Sequence, residues 1–472
     1  MSSITTYEIP VHLKQLITPN QAFHYRIIPF AKDENSIHFK SDTKDIIGLQ
    51  KELTIILGCR ITIIDETTEH IQSYLTFNYR KATTASTEKL RYEDQFLQKL
   101  IATAKDFGSS DIHMEPYEKI CRVRFRLDGK LKEQYTIAKT EYPQLVNQIK
   151  IQSGLDISQK RLAQDGRITF KQGTDDFDIR VSTMPTLYGE KIVLRLLNRN
   201  TQEVLLTDLG FTQKEIQEYR EAIKKPQGII LISGPTGSGK TTTLYATLKE
   251  LNKETTNILT IEDPIEYTLE GINQVQLRED IEFDFPAALR AFLRQDPDII
   301  MVGEIRDDRT AAMAIKAALT GHLVLSTIHT NSAWATISRL IDMKVPAFLL
   351  ANTITMSIAQ RLVRKLCPHC KTAKNAVSED FPKHFEIPEE LQQHYVATGC
   401  DQCYHTGYIG RKAIYEILPI TKQLETAIRH NELQIDTYIK ENQINTLQYN
   451  AIRMVIDGET SVEEVYALLV DN

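Results

Sequence analysis

Residues 234–241 combine the types and spacing needed to cradle a polyphosphate. Gly234, Pro235, Thr236, Gly237, Ser238, Gly239, Lys240 and Thr241 fit G-x-x-x-x-G-K-[ST], and Thr242 follows. Glycines let the backbone fold so that successive N–H groups face a β-phosphate, and a helix N-terminus adds partial positive charge. Lys240 would bridge the β- and γ-phosphates of ATP, and the Thr241 hydroxyl would ligate Mg2+. The run Gly228-IILIS before the loop reads as a buried strand, and residues 242–251 have helical spacing. Strand, loop and helix stand in the order the motif requires, which a chance glycine-rich turn does not explain.

Three further apolar runs end in groups that suit the same chemistry. Asn257-ILTI leads to Glu262, Asp298-IIMV to Gly303-Glu304, and Gly321-HLVLST to His329. In a parallel sheet, ligands sit at the carboxyl ends of the strands, so these residues are expected to converge on the nucleotide. Each alone reads as a solvated loop residue; their joint placement after the phosphate loop reverses that reading. The strand that usually ends in a magnesium-binding Asp has Gly303 there instead. Magnesium is then left to Thr241, Glu304, phosphate and water, with Glu262 the better candidate to orient or deprotonate the attacking water. The residues leave open which glutamate is the base.

Cys367-Pro-His-Cys370 and Cys400-Asp-Gln-Cys403, 29 residues apart, supply four thiols in two C-x-x-C knuckles. That is the plan of a closed, structural zinc site. Redox chemistry fits less well with two pairs and no strand–helix context, and His369 and His405 are spare where four cysteines complete a tetrahedron. Arg361, Arg364, Lys365 and Lys371 nearby read as a solvated basic patch. With little aromatic interleaving, no direct contact with nucleic acid is expected.

These groups must be positioned by folded domains. The 472 residues are 42% apolar and 25% charged, with net charge −6, which excludes collagen, coiled coil, wholesale disorder and a global basic field. At ~150 residues per domain, about three domains are expected. Residues 1–82 mix β-branched runs (Arg26-IIPF, Thr54-IIL, Ile61-TIID) with helical stretches and read as a small α+β module. A small, polar linker covers 83–90. A sheet-containing α+β domain occupies 91–205, opening on a helix through about Ala104. Its strand Cys121–Leu127 places Arg122, Arg124 and Arg126 on one face, Val123, Phe125 and Leu127 on the other, and ends at an Asp128-Gly129 turn. Residues 206–472 form the α/β nucleotide domain, including the cysteine segment 367–403 and a mostly helical region 404–472. The N-terminus lacks a signal-peptide pattern and no apolar run approaches the ~18 residues of a membrane span, so a cytoplasmic protein is expected.

The phosphate loop, Glu262-DPIEY, Gly271-INQVQ, Leu293-RQDPDIIMVGEIRD and Leu319-TGHLVLSTIHTN together resemble the type II secretion and type IV pilus assembly ATPase family across roughly residues 90–420. In that family the segments are called Walker A, Asp box, Walker B and His box, and Gly for Asp in Walker B is the family's form. The resemblance implies a RecA-like P-loop domain preceded by a PAS-like domain, assembled as a homohexamer that acts at the cytoplasmic face of the inner membrane. Its partners would be a membrane platform protein and a cytoplasmic docking protein. Ser109–Pro116 and the Arg122 strand resemble the signature of the preceding domain, where the position matching Arg124 reaches the neighbouring subunit's nucleotide. Lys139 stands where the family has a second arginine, which puts that role in doubt. The tetracysteine segment marks the secretion and pilus-extension branch. The N-terminal module lacks the Arg-Leu-Gly motif that binds cyclic di-GMP in some relatives.

The expected activity is therefore ATP hydrolysis driving pilin or pseudopilin assembly, with Lys240, Glu262, Glu304, His329 and Arg124 catalytic. The alternatives are a RecA-like nucleic-acid motor, a DNA-uptake ATPase of the same family, and a nucleotide-binding scaffold without hydrolysis.

Overall fold

A computed structural model describes residues 9–33, 36–79, 96–172, 175–197, 204–403, 406–432 and 434–470. The chain forms two compact units: residues 1–198 with 367–371 and 397–408, and residues 199–366 with 372–396 and 409–472. The linker expected at 83–90 lies outside the described residues, as does His405. Residues 367–371 and 397–403 carry the four cysteines of the two C-x-x-C knuckles. Their four thiols gather the two knuckles into a node of their own.

The first unit starts with a three-stranded sheet of β1 (Ile27–Lys32), β2 (Ser36–Ser41) and β3 (Arg60–Asp65). β1 and β2 are antiparallel, but β2 and β3 are parallel, and a parallel pair needs a crossover. The helix Ile46–Leu57 supplies it, capped by Asp45 at its start and stopped by Gly58, which adopts a left-handed φ of 66°. The Thr54-IIL run, expected as strand, is the last turn of this helix. Leu49 and Leu53, one turn apart, turn its buried side inward, and that spacing outweighs the β-branched composition of the end.

A six-stranded antiparallel sheet follows: β4 (Asp111–Pro116), β5 (Ile120–Leu127), β6 (Lys130–Ala138), β7 (Gln164–Gln172), β8 (Asp175–Thr186) and β9 (Gly189–Leu197). Their order across the sheet is β6-β5-β4-β9-β8-β7. Helices Phe96–Asp106 and Tyr142–Gln152 pack Leu97, Leu100, Leu145 and Ile149 into its core. β5 alternates as its sequence requires: Val123 and Phe125 are fully buried, while Arg122, Arg124 and Arg126 lie on the opposite face. β5 turns into β6 through Asp128 and Gly129, both at positive φ (45° and 86°), the geometry a two-residue Asp-Gly hairpin demands.

The second unit is built on β10 (Gly228–Ser233), β11 (Ile258–Glu262), β12 (Asn273–Gln276), β13 (Ile299–Val302), β14 (Leu323–Ile328) and β15 (Ile354–Leu366). A separate ribbon pairs β16 (Thr372–Asn375) with β17 (Gln393–Val396), and β18 (Tyr408–Pro419) closes the large sheet. The order is β12-β11-β13-β14-β10-β15-β18. β10 sends Ile229 and Leu231 into one core layer and Ile230 and Ile232 into the other, as a strand covered by helices on both faces must. Each such side chain contributes about 1.5–3 kcal/mol by leaving water. The tail expected to be mostly helical begins with the strand β18. Ala413–Leu418 are buried there, and Arg411 and Lys412 had masked the apolar run. Helices Lys422–Arg429, Asp436–Glu441, Leu447–Ile456 and Val462–Val470 follow. No described helix is long and apolar enough to cross a membrane.

Candidate functional site

Register brings the predicted groups to one edge of the large sheet. Ser233 at the end of β10 lies beside Ile328 of β14 and Ala359 of β15, and Val302 of β13 lies beside Ile261 of β11. All these pairings are parallel, so the phosphate loop, His329, Glu304 and Glu262 follow the carboxyl ends of neighbouring strands.

The loop leads straight into the helix Lys240–Leu251, whose N-cap is Gly239 with no side-chain cap. Among the described residues its first amides have no helical or side-chain partner, and they can face an anion. Gly234 (φ 151°) has no room for a side chain: a Cβ would lie 2.5 Å from the Gln360 carbonyl oxygen and 2.6 Å from Ser238 Oγ. Ser238 Oγ is buried and without a hydrogen-bond partner among the described residues, a polar atom that a phosphate oxygen would satisfy. The Lys240 ammonium donates to the Gly234 and Pro235 carbonyls at 2.7 and 3.1 Å. Burial pushes its pKa down, Glu304 opposes that, and Arg361 adds to it. The cradle fits a nucleotide's phosphates, and Thr241, exposed on the first helical turn, suits magnesium.

The two glutamates have different surroundings. Glu304 bonds Arg306, which also reaches Asp263 at 3.3 Å, and its other oxygen lies 3.5 Å from His329 Nε2. It is partly exposed. Glu262 is buried, and both its oxygens are engaged: one accepts from Tyr245 OH, the other from Thr260 Oγ1 (2.7 Å) and Gln274 Nε2 (3.1 Å). The expectation that Glu262 is the better group to handle water is not what this arrangement favours; the accessible carboxylate is Glu304. Gly303 has a steric reason to replace the usual Asp. A Cβ there would press within 3.2 Å of the Ile261 carbonyl oxygen, against the backbone of β11.

Two residues that the sequence reading did not assign to the site belong to it. Gln360, fully buried on β15, donates to the Ser238 carbonyl (2.9 Å) and accepts from Thr243 Oγ1 (2.9 Å), clamping loop to helix. Arg361 donates to the Gln360 and Asn331 carbonyls, and its Nη1 lies 3.2 Å from where a Cβ on Gly234 would stand. Two members of the expected solvated patch leave it: Arg361 borders the phosphate loop, and Arg364 is buried on Glu464 at 2.9 Å, while Lys365 is exposed as expected. Only the identity of the strand neighbouring β10 could have signalled this.

On the face of β4, β5 and β9, the three arginines differ. Arg122 is tied to Glu115 and Tyr117, and Arg126 to Gly129 O and Asp111. Arg124 makes one hydrogen bond, Nη2 to Glu115 Oε1 at 2.7 Å, and its Nε is buried with no partner among the described residues. Of the three, Arg124 has donors to spare. Lys139 is engaged by the Glu118 carbonyl (2.8 Å) and the Tyr188 ring.

The Sγ atoms of Cys367, Cys370, Cys400 and Cys403 all lie within 4.8 Å of one another, with pairs at 3.7 Å (367–400 and 370–403) and 3.8 Å (400–403). A tetrahedron with Zn–S near 2.3 Å has edges of about 3.8 Å, so the set fits zinc. The amides of Cys400 and Gly407 donate to Cys403 Sγ at 3.1 and 3.3 Å, the kind of outer hydrogen bonds that orient a metal-ligating sulfur. Metal analysis of freshly purified, reduced protein is expected to find about one zinc per chain. Replacing Cys367 and Cys400 together should remove it and lower the thermal midpoint, since metal binding and local folding are linked. Zinc-free wild type would sink the assignment.

The profile of the family "Type II/IV secretion system protein" matches residues 87–467. The chain is 46% identical over 375 residues to the putative type II secretion system protein E of Escherichia coli K12, covering 79% of this chain and 76% of that protein. It is also 46% identical over 365 residues to the type IV pilus assembly ATPase PilB of Myxococcus xanthus, covering 76% of this chain and 64% of that one. Among solved structures, the ATPase DotB of Legionella pneumophila aligns with TM-score 0.60 at 21% identity, covering 81% of this chain and 97% of that chain. The pilus retraction motor PilT with bound ADP aligns with TM-score 0.55 at 26% identity, covering 79% and 96%.

Proposed function

We propose, from the premise that the chain belongs to the type II/IV secretion system protein family of secretion and pilus ATPases, that it works as a homohexamer hydrolysing ATP to power pilin or pseudopilin assembly. The observation that carries the enzymatic part is the phosphate loop with its uncapped helix, its poised Lys240 and the unpartnered Ser238 Oγ, flanked by Glu304 and His329. The loop amides and Lys240 hold the phosphates. Thr241 and Glu304 would hold magnesium, which when bound neutralises phosphate charge. Glu304 orients or deprotonates the attacking water, with His329 and Arg306 fixing the carboxylate. Arg124 of one subunit serves the nucleotide of the next, its always-charged fork matching the charge that develops on the transferred phosphoryl group. Glu262 holds the helix of the phosphate loop against β11 through Tyr245.

The tetracysteine site supports assembly rather than retraction as the direction of work. Docking to an inner-membrane platform protein and a cytoplasmic adaptor would place the ring at the membrane's inner face. The test is phosphate release by the assembled protein: magnesium-dependent ATP hydrolysis, unaffected by added DNA, is expected. Assembled rings that bind ATP without releasing phosphate would overturn the reading, and strong DNA stimulation would favour a nucleic-acid motor.

A further inference from the structure

Glu115 lies at the centre of the charged face that carries Arg124. One carboxylate holds three cations: Arg124 (2.7 Å) and Lys191 (3.1 Å) on Oε1, and Arg122 (3.1 Å) on Oε2. Burial works against the carboxylate, yet Arg124 and Lys191 hold its pKa down to about 2, so it is charged at any working pH. Around it, the five cations Arg122, Arg124, Arg126, Lys191 and Arg195 share three carboxylates in ion pairs among the described residues: Asp111 and Glu115 on β4, and Glu133 on β6, 4.0 Å from Arg122. The face is therefore short of negative charge. Beside Arg124 across the β4–β5 ladder sits His113, whose Nδ1 is also buried without a partner among the described residues. Arg126 approaches its Nε2 at 3.5 Å, which favours the proton on Nδ1. Two N–H donors, Arg124 Nε and His113 Nδ1, thus lack acceptors on neighbouring strands.

We propose that Glu115 is a positioning residue for the inter-subunit site: it holds the Arg124 guanidinium in the free chain and yields it to the terminal phosphate of the neighbour's ATP. The inference rests on the trans reading of Arg124. Removing the sole partner of a buried carboxylate is costly. Here Lys191 remains on Oε1 and Arg122 on Oε2 after Arg124 leaves, so neither oxygen is abandoned. The missing negative charge on this face is what a triphosphate brings.

Glu115→Gln keeps the shape and removes the charge that aims Arg124. In the assembled full-length chain, kcat should fall about 10- to 100-fold, the range that misplacing a reacting-site group produces. KM for ATP should change little, since each subunit's own phosphate loop binds the nucleotide. In an Arg124→Ala background the same substitution should cost nothing more, because residues acting as one unit are not additive. Wild-type kcat, or a full additional loss in that background, would overturn the proposal. Should Glu115→Gln fail to fold, Lys191→Ala gives a second test. Without Lys191, Glu115 keeps Arg124 more tightly, so kcat should fall several-fold in the wild-type background and not at all in Arg124→Ala. Unchanged kcat in the wild-type background would again overturn it. Full activity of Arg124→Ala would refute the trans reading itself, whereas inactive Arg124→Ala beside fully active Glu115→Gln refutes only the role of Glu115.

Discussion

Lys240→Ala is expected to abolish turnover and weaken nucleotide binding together, whereas Glu304→Gln should leave binding largely intact while hydrolysis collapses. Lys240 is already in place: its ammonium sits on the Gly234 and Pro235 carbonyls, so binding phosphate asks only for an exchange of acceptors. Alanine removes the loop's one cation from ground and transition states alike. Glu304 is different. Glutamine preserves its volume and its contact with Arg306, and loses only the charge and basicity that matter when water attacks. General-base contributions of ~10²–10⁴ set the scale of the loss in kcat. Titration with a fluorescent ATP analogue, beside single-turnover phosphate release, separates the two effects. Equal loss of affinity in both variants would mean that Glu304 mainly binds nucleotide. An active Glu304→Gln would return water activation to Glu262, which would then have to exchange its bonds to Tyr245, Thr260 and Gln274.

The nucleotide edge was legible because its residues follow strands whose apolar runs are unmistakable. Gly228-IILIS, Asn257-ILTI, Asp298-IIMV and Gly321-HLVLST are β10, β11, β13 and β14, and their order in the sheet puts the glutamates and His329 near one loop. The chain order does not reveal which strands are neighbours. β15 flanks β10 across a long sequence separation, so nothing in the sequence marks Gln360, and Arg361 shows there only as part of a basic patch near the cysteines. Burial of Glu262 was hidden for the same reason, since its partners come from the loop's own helix and from β12. Alternation in β5 correctly put three arginines on one face, but their inequality depends on what β4 and β9 place opposite. Glu115 and Asp111 bind the outer two more fully than Arg124. Periodicity assigns a face; register assigns a partner. Where composition and periodicity disagreed, as at Thr54-IIL, the helix formed because its buried leucines and caps outweighed three β-branched residues.

The spare donors of Arg124 make the most demanding expectation one of complementation between two dead proteins. If Arg124 serves the neighbouring subunit, each active site is assembled from two chains: a phosphate loop, Glu262 and Glu304 from one, Arg124 from the other. Arg124→Ala subunits keep the first set, and Lys240→Ala subunits keep Arg124. Each homogeneous ring should be inactive, since trans-acting arginines are worth ~10³ or more in rate. In mixed rings, every interface at which an Arg124→Ala subunit's phosphate loop meets a Lys240→Ala subunit's arginine is complete. Hydrolysis should reappear on mixing, pass through a maximum near equal proportions, and vanish again when either variant is in large excess. For the wild type, specific activity should rise with protein concentration as rings form. An arginine acting within its own chain forbids the rescue, because every site then carries one lesion. An arginine that merely braces the sheet through Glu115 predicts a different failure, loss of stability without loss of turnover in the chains that remain folded. Mixed rings verified by mass but as inactive as their parents would exclude the shared site, and with it the reason for Arg124 to keep unpartnered donors on that face.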